Sequence, residues 1–241
     1  MNKETKAGRL YLIPTLLGDV APASVLPASV FNVVNRVRHY IAEDLRSARR
    51  FLKKAGIPVQ FDNVKFYLLN KYTDDEELQN FLSGAARGYD TGLLSEAGMP
   101  CIADPGSRIV AMAHDSGIRV VPLTGPSSIM LALMSSGLTG QSFVFHGYLP
   151  VKPDGRNQAI RKLEADSIEH SQSQIFMETP YRNKKVLESV ISVCKPSTRL
   201  CIACDITLAS EYILTRRVSD WQKDIPDIHK RPAIFIIQGE R

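Results

Sequence analysis

Short apolar runs alternate with amphipathic stretches through the first half of the chain. Leu10 to Thr15 reads as a buried strand interrupted at Pro14, followed by a loop at Gly18-Asp19 and a helix from Pro27 to Arg36. Arg38 to Ala42 is a second strand. Asp44 then suits the N-cap of a helix that runs to Ala55, where Gly56 and Pro58 end it. On that helix Leu45, Ala48, Leu52 and Ala55 share one face, which leaves Arg46, Arg50, Lys53 and Lys54 on an exposed basic side. Phe61 to Leu69 is an apolar stretch whose pairing the sequence does not define. Thr73-Asp74-Asp75-Glu76 opens a helix with acids at its positive end, and Gly92-Leu93-Leu94 is the next strand. A helix from Pro105 to Ser116, a strand from Arg119 to Leu123 and a helix from Pro126 to Ser136 follow. Strands and helices in alternation predict a parallel, helix-covered sheet.

After Gly137 the pattern changes. Phe143 to Leu149, Gln174 to Glu178, Leu200 to Ile206, Glu211 to Arg217 and Ala233 to Ile237 read as strands, with helices at Asn157 to Ala165 and Arg182 to Cys194. The strands at 200–206 and 211–217 have no helix between them, so they form an antiparallel pair and the second sheet is mixed. The fold class is α/β with two α/β domains: residues 1–124 with a parallel sheet and residues 125–241 with a mixed one.

The stretch Thr91 to Gly106, TGLLSEAGMPCIADPG, joins a strand to a helix through a glycine-bearing loop. Ligands of α/β proteins sit at the carboxyl ends of strands, where such loops lie. Gly98 lets the backbone approach a ligand closely, and Asp104 can cap the helix with Pro105 in its first turn. Thr124-Gly125-Pro126-Ser127-Ser128 adds hydroxyls at another helix start.

Composition narrows the class. The chain has 241 residues, 44% hydrophobic and 23% charged, as in an ordinary soluble globular protein. A net charge of +5 leans toward polyanionic partners without identifying one. No apolar run approaches the ~20 residues that span a bilayer. The amino end imitates a secretory signal, but Pro14 interrupts it and Glu4 and Asp19 suit one poorly, so it reads as the first strand of a cytoplasmic protein. Cys201-x-x-Cys204 lies inside a strand, where residues three apart face opposite sides, and no second pair completes a metal site. The sequence lacks G-x-G-x-x-G after the first strand, a P-loop and a G-x-S-x-G elbow, which weighs against dinucleotide, nucleoside-triphosphate and hydrolase readings.

SEAGMPCIADPG followed by RVVPLTGPSS resembles the S-adenosylmethionine-dependent tetrapyrrole methylase family. The resemblance runs in order through YLIPT, AEDLR, FVFHGYLPVK, FMETPYR and RPAIFIIQG, nearly the whole chain. Within the family it is to the branch that 2'-O-methylates a cytidine ribose in small-subunit ribosomal RNA. The resemblance implies S-adenosylmethionine held between two domains, no metal, a homodimer, and the small ribosomal subunit or its RNA as partner. It also implies cofactor contacts at Pro14, Ala97, Gly98, Ile102, Ser127, Ser128, Met177, Ala203, Pro232 and Ala233.

On the acceptor side stand Glu43, Asp44 and Arg46 at the end of the second strand, with Asn70-Lys71 after the apolar stretch. A ribose hydroxyl is a poor nucleophile, so Glu43 or Asp44 would serve as general base and Arg46 would hold a phosphate. The same residues also suit a capped helix with a solvated polar face. Leu45 and Ser47 stand where the RNA branch has Thr and His, and Asn70-Lys71 where it has a His-Asn-Glu cluster. Pro232-Ala233 look more like the corrin and porphyrin methylases. A tetrapyrrole or other small anionic acceptor, or a non-catalytic RNA- or protein-binding member of the fold, therefore stays open beside ribose methylation.

Overall fold

The computed structural model describes residues 7–57, 63–70 and 72–240. Glu4, Pro58, Phe61 and Lys71, named above, lie outside them. The first five strands are β1 (Arg9–Ile13), β2 (His39–Ala42), β3 (Lys65–Leu68), β4 (Thr91–Leu94) and β5 (Arg119–Pro122). They form one sheet in the order β3-β2-β4-β1-β5, and all its pairings are parallel. The stretch of undefined pairing supplies β3, whose residues His39↔Lys65 to Ala42↔Leu68 place it at the sheet edge.

Helices α1 (Ala28–Arg36), α2 (Leu45–Lys54), α3 (Asp75–Ala86) and α4 (Gly106–Asp115) connect these strands. Period-two alternation divides the strand side chains between two cores. Tyr11, Ile13, Tyr40, Ala42 and Leu94 pack with Val30, Val34, Ala48, Phe51 and Leu52 of α1 and α2. Leu10, Ile41, Tyr67 and Leu93 pack with Leu78, Leu82, Ile109 and Ala113 of α3 and α4. The chain steps one way across the sheet from β1 to β3 and returns to β4 and β5. With crossovers of one hand, that reversal sends the two pairs of helices to opposite faces. β4 lies between β2 and β1, whose own helices go to the other face, so a crevice forms at the carboxyl ends of these three strands.

The remaining elements are α5 (Ser128–Ser136), β6 (Phe143–Tyr148), α6 (Pro153–His170), β7 (Ser173–Glu178), α7 (Asn183–Val193), β8 (Arg199–Cys204), β9 (Tyr212–Arg217), α8 (Val218–Trp221) and β10 (Ala233–Gln238). The second sheet has the order β6-β7-β10-β8-β9. It is mixed as expected, because β6 and β7 are parallel while β7–β10, β10–β8 and β8–β9 are antiparallel. Phe176, Ile202, Cys204, Phe235 and Ile237 pack with α6, α7 and α8 around Trp221. Trp221 is fully buried and its indole N–H donates to the Leu200 carbonyl at 3.0 Å. The contacts divide the chain into two units, Met1–Ser127 and Ser128–Arg241.

Helix α6 is twice the length that its apolar spacing suggests. Its buried face is partly polar: Arg156 donates to Ser189 Oγ at 2.8 Å, Glu164 accepts from the Lys195 N–H at 2.7 Å, and Ser167 donates to the Gln172 carbonyl at 2.6 Å. Buried polar groups satisfied in this way do not register as a hydrophobic stripe. Helix α8 is a single turn and left no period to read. The four cysteines are free, with Cys194, Cys201 and Cys204 buried and Cys101 half-buried.

Candidate active site

The loop after β4 is bound to the loop after β1. The Thr15 N–H donates to the Gly98 carbonyl at 2.9 Å, the Ser95 hydroxyl donates to the same oxygen at 2.9 Å, and the Thr15 hydroxyl donates to the Ser95 carbonyl at 3.3 Å. Gly98 has φ +75°, and a Cβ there would stand 3.0 Å from Leu17 Cδ2 and 3.3 Å from the Pro126 carbonyl oxygen. Both the dihedral and the space require glycine. Cys101 and Ala103 also adopt positive φ, 71° and 64°, in which a side chain costs about 1–2 kcal/mol per residue. The Asp104 carboxylate holds this geometry by accepting from Cys101 N at 2.8 Å and Gly106 N at 2.7 Å. Asp104 therefore caps the start of α4 and closes the turn before it. Strain of this kind, kept in place by its surroundings, is a mark of ligand-binding loops.

The loop after β5 joins them. A Cβ on Gly125 would lie 2.3 Å from Pro14, so glycine is what lets Thr124-Gly125-Pro126 lie against the end of β1. Pro14, Ala97, Gly98 and Ser127 thus meet on three loops at one end of the sheet. Pro14, Gly98 and Ser127 are buried, while Ala97 and Ile102 are exposed on the β4 loop. A cavity of about 400 Å³ opens beside these loops, lined by Thr15, Leu17, Arg50, Phe51, Glu96 and Ala97. That volume falls within the roughly 300–1,000 Å³ of small-molecule sites. Across the cavity Lys54 forms an ion pair with Asp19.

The two acids proposed as base candidates differ in state. Asp44 Oδ1 accepts from the Ser47 N–H at 2.7 Å, and that bond holds its carboxyl below the usual range. Asp44 is a helix cap and a weak base. Glu43 is half-buried, and burial, with Asp104 and Glu96 nearby, pushes its carboxyl up to about 7. A carboxylate poised near neutrality is suited to take a proton. Burial likewise raises Asp104. Burial also pushes the Cys101 thiol up to about 12, which makes it inert as a nucleophile. Spacing alone did not reveal Glu96 and Asp104 as the charges facing Glu43, since they arrive from another strand.

Arg46, Arg50 and Lys53 are all exposed on α2, with Ala48, Phe51 and Leu52 buried beneath. Arg50 does double service because it also lines the cavity beside Ala97. The Asn70 side-chain oxygen accepts from the Tyr72 N–H at 2.7 Å, within its own turn.

In the second unit, Met177, Ile234 and Ala203 stand in register on β7, β10 and β8, so Met177 and Ala203 share one face of the sheet. Ala233 is in register with Glu178 and Cys204, which puts its side chain on the other face, in the core around Trp221. Pro232, exposed, precedes β10, and its carbonyl accepts from the Asp205 N–H at 3.0 Å. Asp205 Oδ2 also takes the Arg231 guanidinium at 2.8 Å, fixing the entry to the strand. Ser128 begins α5.

The first unit's loops fit an S-adenosyl cofactor: glycine at 98 and 125 lets their backbone crowd the strand ends, and Glu43, Glu96 and Asp104 bring carboxyl groups that suit a cationic sulfonium, with Arg50 and Lys54 on the α2 side of the cavity. Among the described residues no group of His, Cys, Asp and Glu could hold a metal ion.

The profile described as Tetrapyrrole (Corrin/Porphyrin) Methylases matches residues 9–221. The chain belongs to that family. It is a methyltransferase, and the methyl donor of this family is S-adenosylmethionine. Over 241 residues the chain is 30% identical to a ribosomal RNA small subunit methyltransferase I of Escherichia coli O157:H7, an alignment that covers 99% of this chain and 80% of that one. Its identity to the protein of the same name from Streptococcus pyogenes serotype M6 is 32% over 207 residues, 86% of this chain and 68% of the other. The fold is shared with the methyltransferase CobJ, with a TM-score of 0.64 at 13% identity over 97% of this chain and 95% of that one. It is shared too with a Thermus thermophilus uroporphyrin-III-C-methyltransferase, with a TM-score of 0.57 at 17% identity over 96% and 92%. In these tetrapyrrole methylases the likeness shows the architecture.

Proposed function

We propose that this methylase transfers a methyl group from S-adenosylmethionine to a ribose 2'-hydroxyl of small-subunit ribosomal RNA. The observation that carries the reading is the near full-length identity to the small-subunit methyltransferases, joined to a neutral-range carboxylate at the strand ends. The loops of Pro14, Gly98 and Ser127 would hold the cofactor through backbone groups, with Ala97 and Ile102, exposed on the β4 loop, as further contacts. When bound, the cofactor supplies an electrophilic methyl group. Glu43 accepts the hydroxyl proton as the oxygen becomes a nucleophile, and its carboxylate must be ionised to do so. Arg46 and the cations of α2 engage phosphates. Ser128, Met177, Ala203, Pro232 and Ala233 are proposed contacts of the same cofactor. Ala233 serves through its backbone, since its side chain belongs to the core.

A tetrapyrrole acceptor is the second reading, favoured by Pro232-Ala233 at the entry to β10. We further propose that the chain works as a homodimer in the cytoplasm. Among the described residues no helix is long and apolar enough to cross a membrane. Incubating the purified chain with methyl-labelled S-adenosylmethionine and either small-subunit RNA or a porphyrinogen separates the two readings. Label in the RNA supports the first, and label only in the ring overturns it.

A further inference from the structure

The opposite edge of the first sheet carries an unassigned pattern. Every strand of a parallel sheet starts at the same edge, and here β1, β3 and β5 start with Arg9, Lys65 and Arg119, while Arg38 immediately precedes β2. Helices that return antiparallel end at that edge as well, with Arg36 closing α1 and Arg87 at the C-cap of α3. All six cations are exposed. Registers bring them together: Arg9 pairs with Arg119, and His39 with Lys65.

The cations divide into two sets. Arg9 and Arg36 are held, both donating to the Tyr11 hydroxyl, with Arg36 3.6 Å from Asp90. Arg38, Lys65, Arg87 and Arg119 make no ion pair among the described residues; Arg38 and Arg87 donate to backbone carbonyls and Lys65 lies over the Tyr67 ring. Cations at helix carboxyl ends answer the helix dipole, but strand starts have no such dipole to answer.

An aromatic ring sits among these charges. Tyr89 is 59% exposed, and its ring stacks on His39 with centroids 5.4 Å apart and planes 16° from parallel. Burial, then Lys65 and Arg87, hold the His39 imidazole below its ordinary value, so at neutral pH it is an uncharged support. An exposed ring stacked on a neutral support, with Lys65 and Arg87 beside that support and further cations free of ion pairs along the same end of the sheet, is the arrangement that receives an unpaired base with its flanking phosphates.

We propose that this edge is a second docking surface for single-stranded RNA, with Tyr89 stacking on a base and Arg38, Lys65, Arg87 and Arg119 engaging phosphates. The proposal rests on the reading of RNA as the substrate. The strands are four or five residues long, so this edge is only about 15 Å from the carboxyl ends, within reach of one folded RNA.

The test is fluorescence anisotropy with the full chain, using a labelled unstructured 12-mer oligoribonucleotide, a perfectly paired RNA duplex and polyglutamate. Tyr89→Ala is expected to weaken binding of the single strand about tenfold, with little change for the duplex, while Tyr89→Phe binds as the parent does. Lys65→Ala with Arg119→Ala should lower the salt slope by about 1.4, two contacts at about 0.7 each. Unchanged slopes and affinities in variants whose parent binds RNA overturn this surface and leave the substrate reading standing. Equal losses for polyglutamate assign the edge to an acidic protein and overturn it also. A parent that binds neither RNA probe overturns this surface alone, since methyl labelling of small-subunit RNA decides the substrate reading separately.

Discussion

The backbone N–H of Thr15 donates to the carbonyl oxygen of Gly98 across 2.9 Å, which ties the loop after β1 to the loop after β4. Gly98 holds φ +75°, close to Leu17 and Pro126. Gly98→Ala should therefore cost about 1–2 kcal/mol of stability from the dihedral alone. Because the displaced loop is the proposed cofactor loop, affinity for S-adenosylmethionine should fall at least about tenfold, which corresponds to 1.4 kcal/mol. Denaturant unfolding and titration calorimetry read the two effects. A variant that binds the cofactor normally would make the loop purely structural.

As the proposed base, Glu43 should give the reaction a pH signature. With its carboxyl at about 7, the rate of methyl transfer should rise through neutrality and level off above it. Glu43→Gln should remove the rise together with most of the rate, on the order of 10²-fold. The stability effect has the opposite sense. The folded state binds the Glu43 proton more tightly than the unfolded chain, so stability is complete below the ordinary glutamate value and declines as pH rises toward about 7. At pH 8 Glu43→Gln should be more stable than the parent by about 1 kcal/mol, less than the full shift because the half-buried group is screened by water. The gain should vanish at pH 4. Thermal melts at the two pH values check it.

Asp44 provides the control. Its carboxylate caps α2 through Ser47, so Asp44→Ala should cost about 1 kcal/mol of stability. The pH–rate profile of that variant should keep the midpoint of the parent. A lost midpoint would transfer the base to Asp44.

The cations of α2 predict a salt effect. Arg46 and Lys53 are exposed and do not line the cavity, whereas Arg50 does. Arg46→Ala with Lys53→Ala should weaken RNA binding and flatten its dependence on salt by about 1–2 in slope. Cofactor affinity should stay at the parent value. RNA titrations at several salt concentrations measure the slope directly, and no change would take α2 out of the interface.

Period and punctuation made much of this legible. Asp44, Gly56 and the acidic run at Asp74 mark helix ends through local chemistry alone, and the absence of a helix between β8 and β9 discloses the antiparallel pair. Local sequence could not reveal the pairing of β3, because register at a sheet edge depends on β2. The length of α6 was hidden by Arg156, Glu164 and Ser167, polar residues that are buried because partners from distant elements satisfy them. The same limit applied to the site. Gly98 and Asp104 stood out as turn residues, but the separation of Glu43 from Asp44 required knowing that Asp104 and Glu96 face one and Ser47 the other.

The central claim is methylation of a ribose in small-subunit RNA, with Glu43 as base. The most direct measurement is mass spectrometry of nucleosides from that RNA, taken from cells that lack the chain and from cells that regain it or its Glu43→Gln variant. The account predicts a 2'-O-methylated nucleoside that is missing without the chain, returns with it and does not return with the variant. The same nucleosides in the same amounts in all three would contradict it.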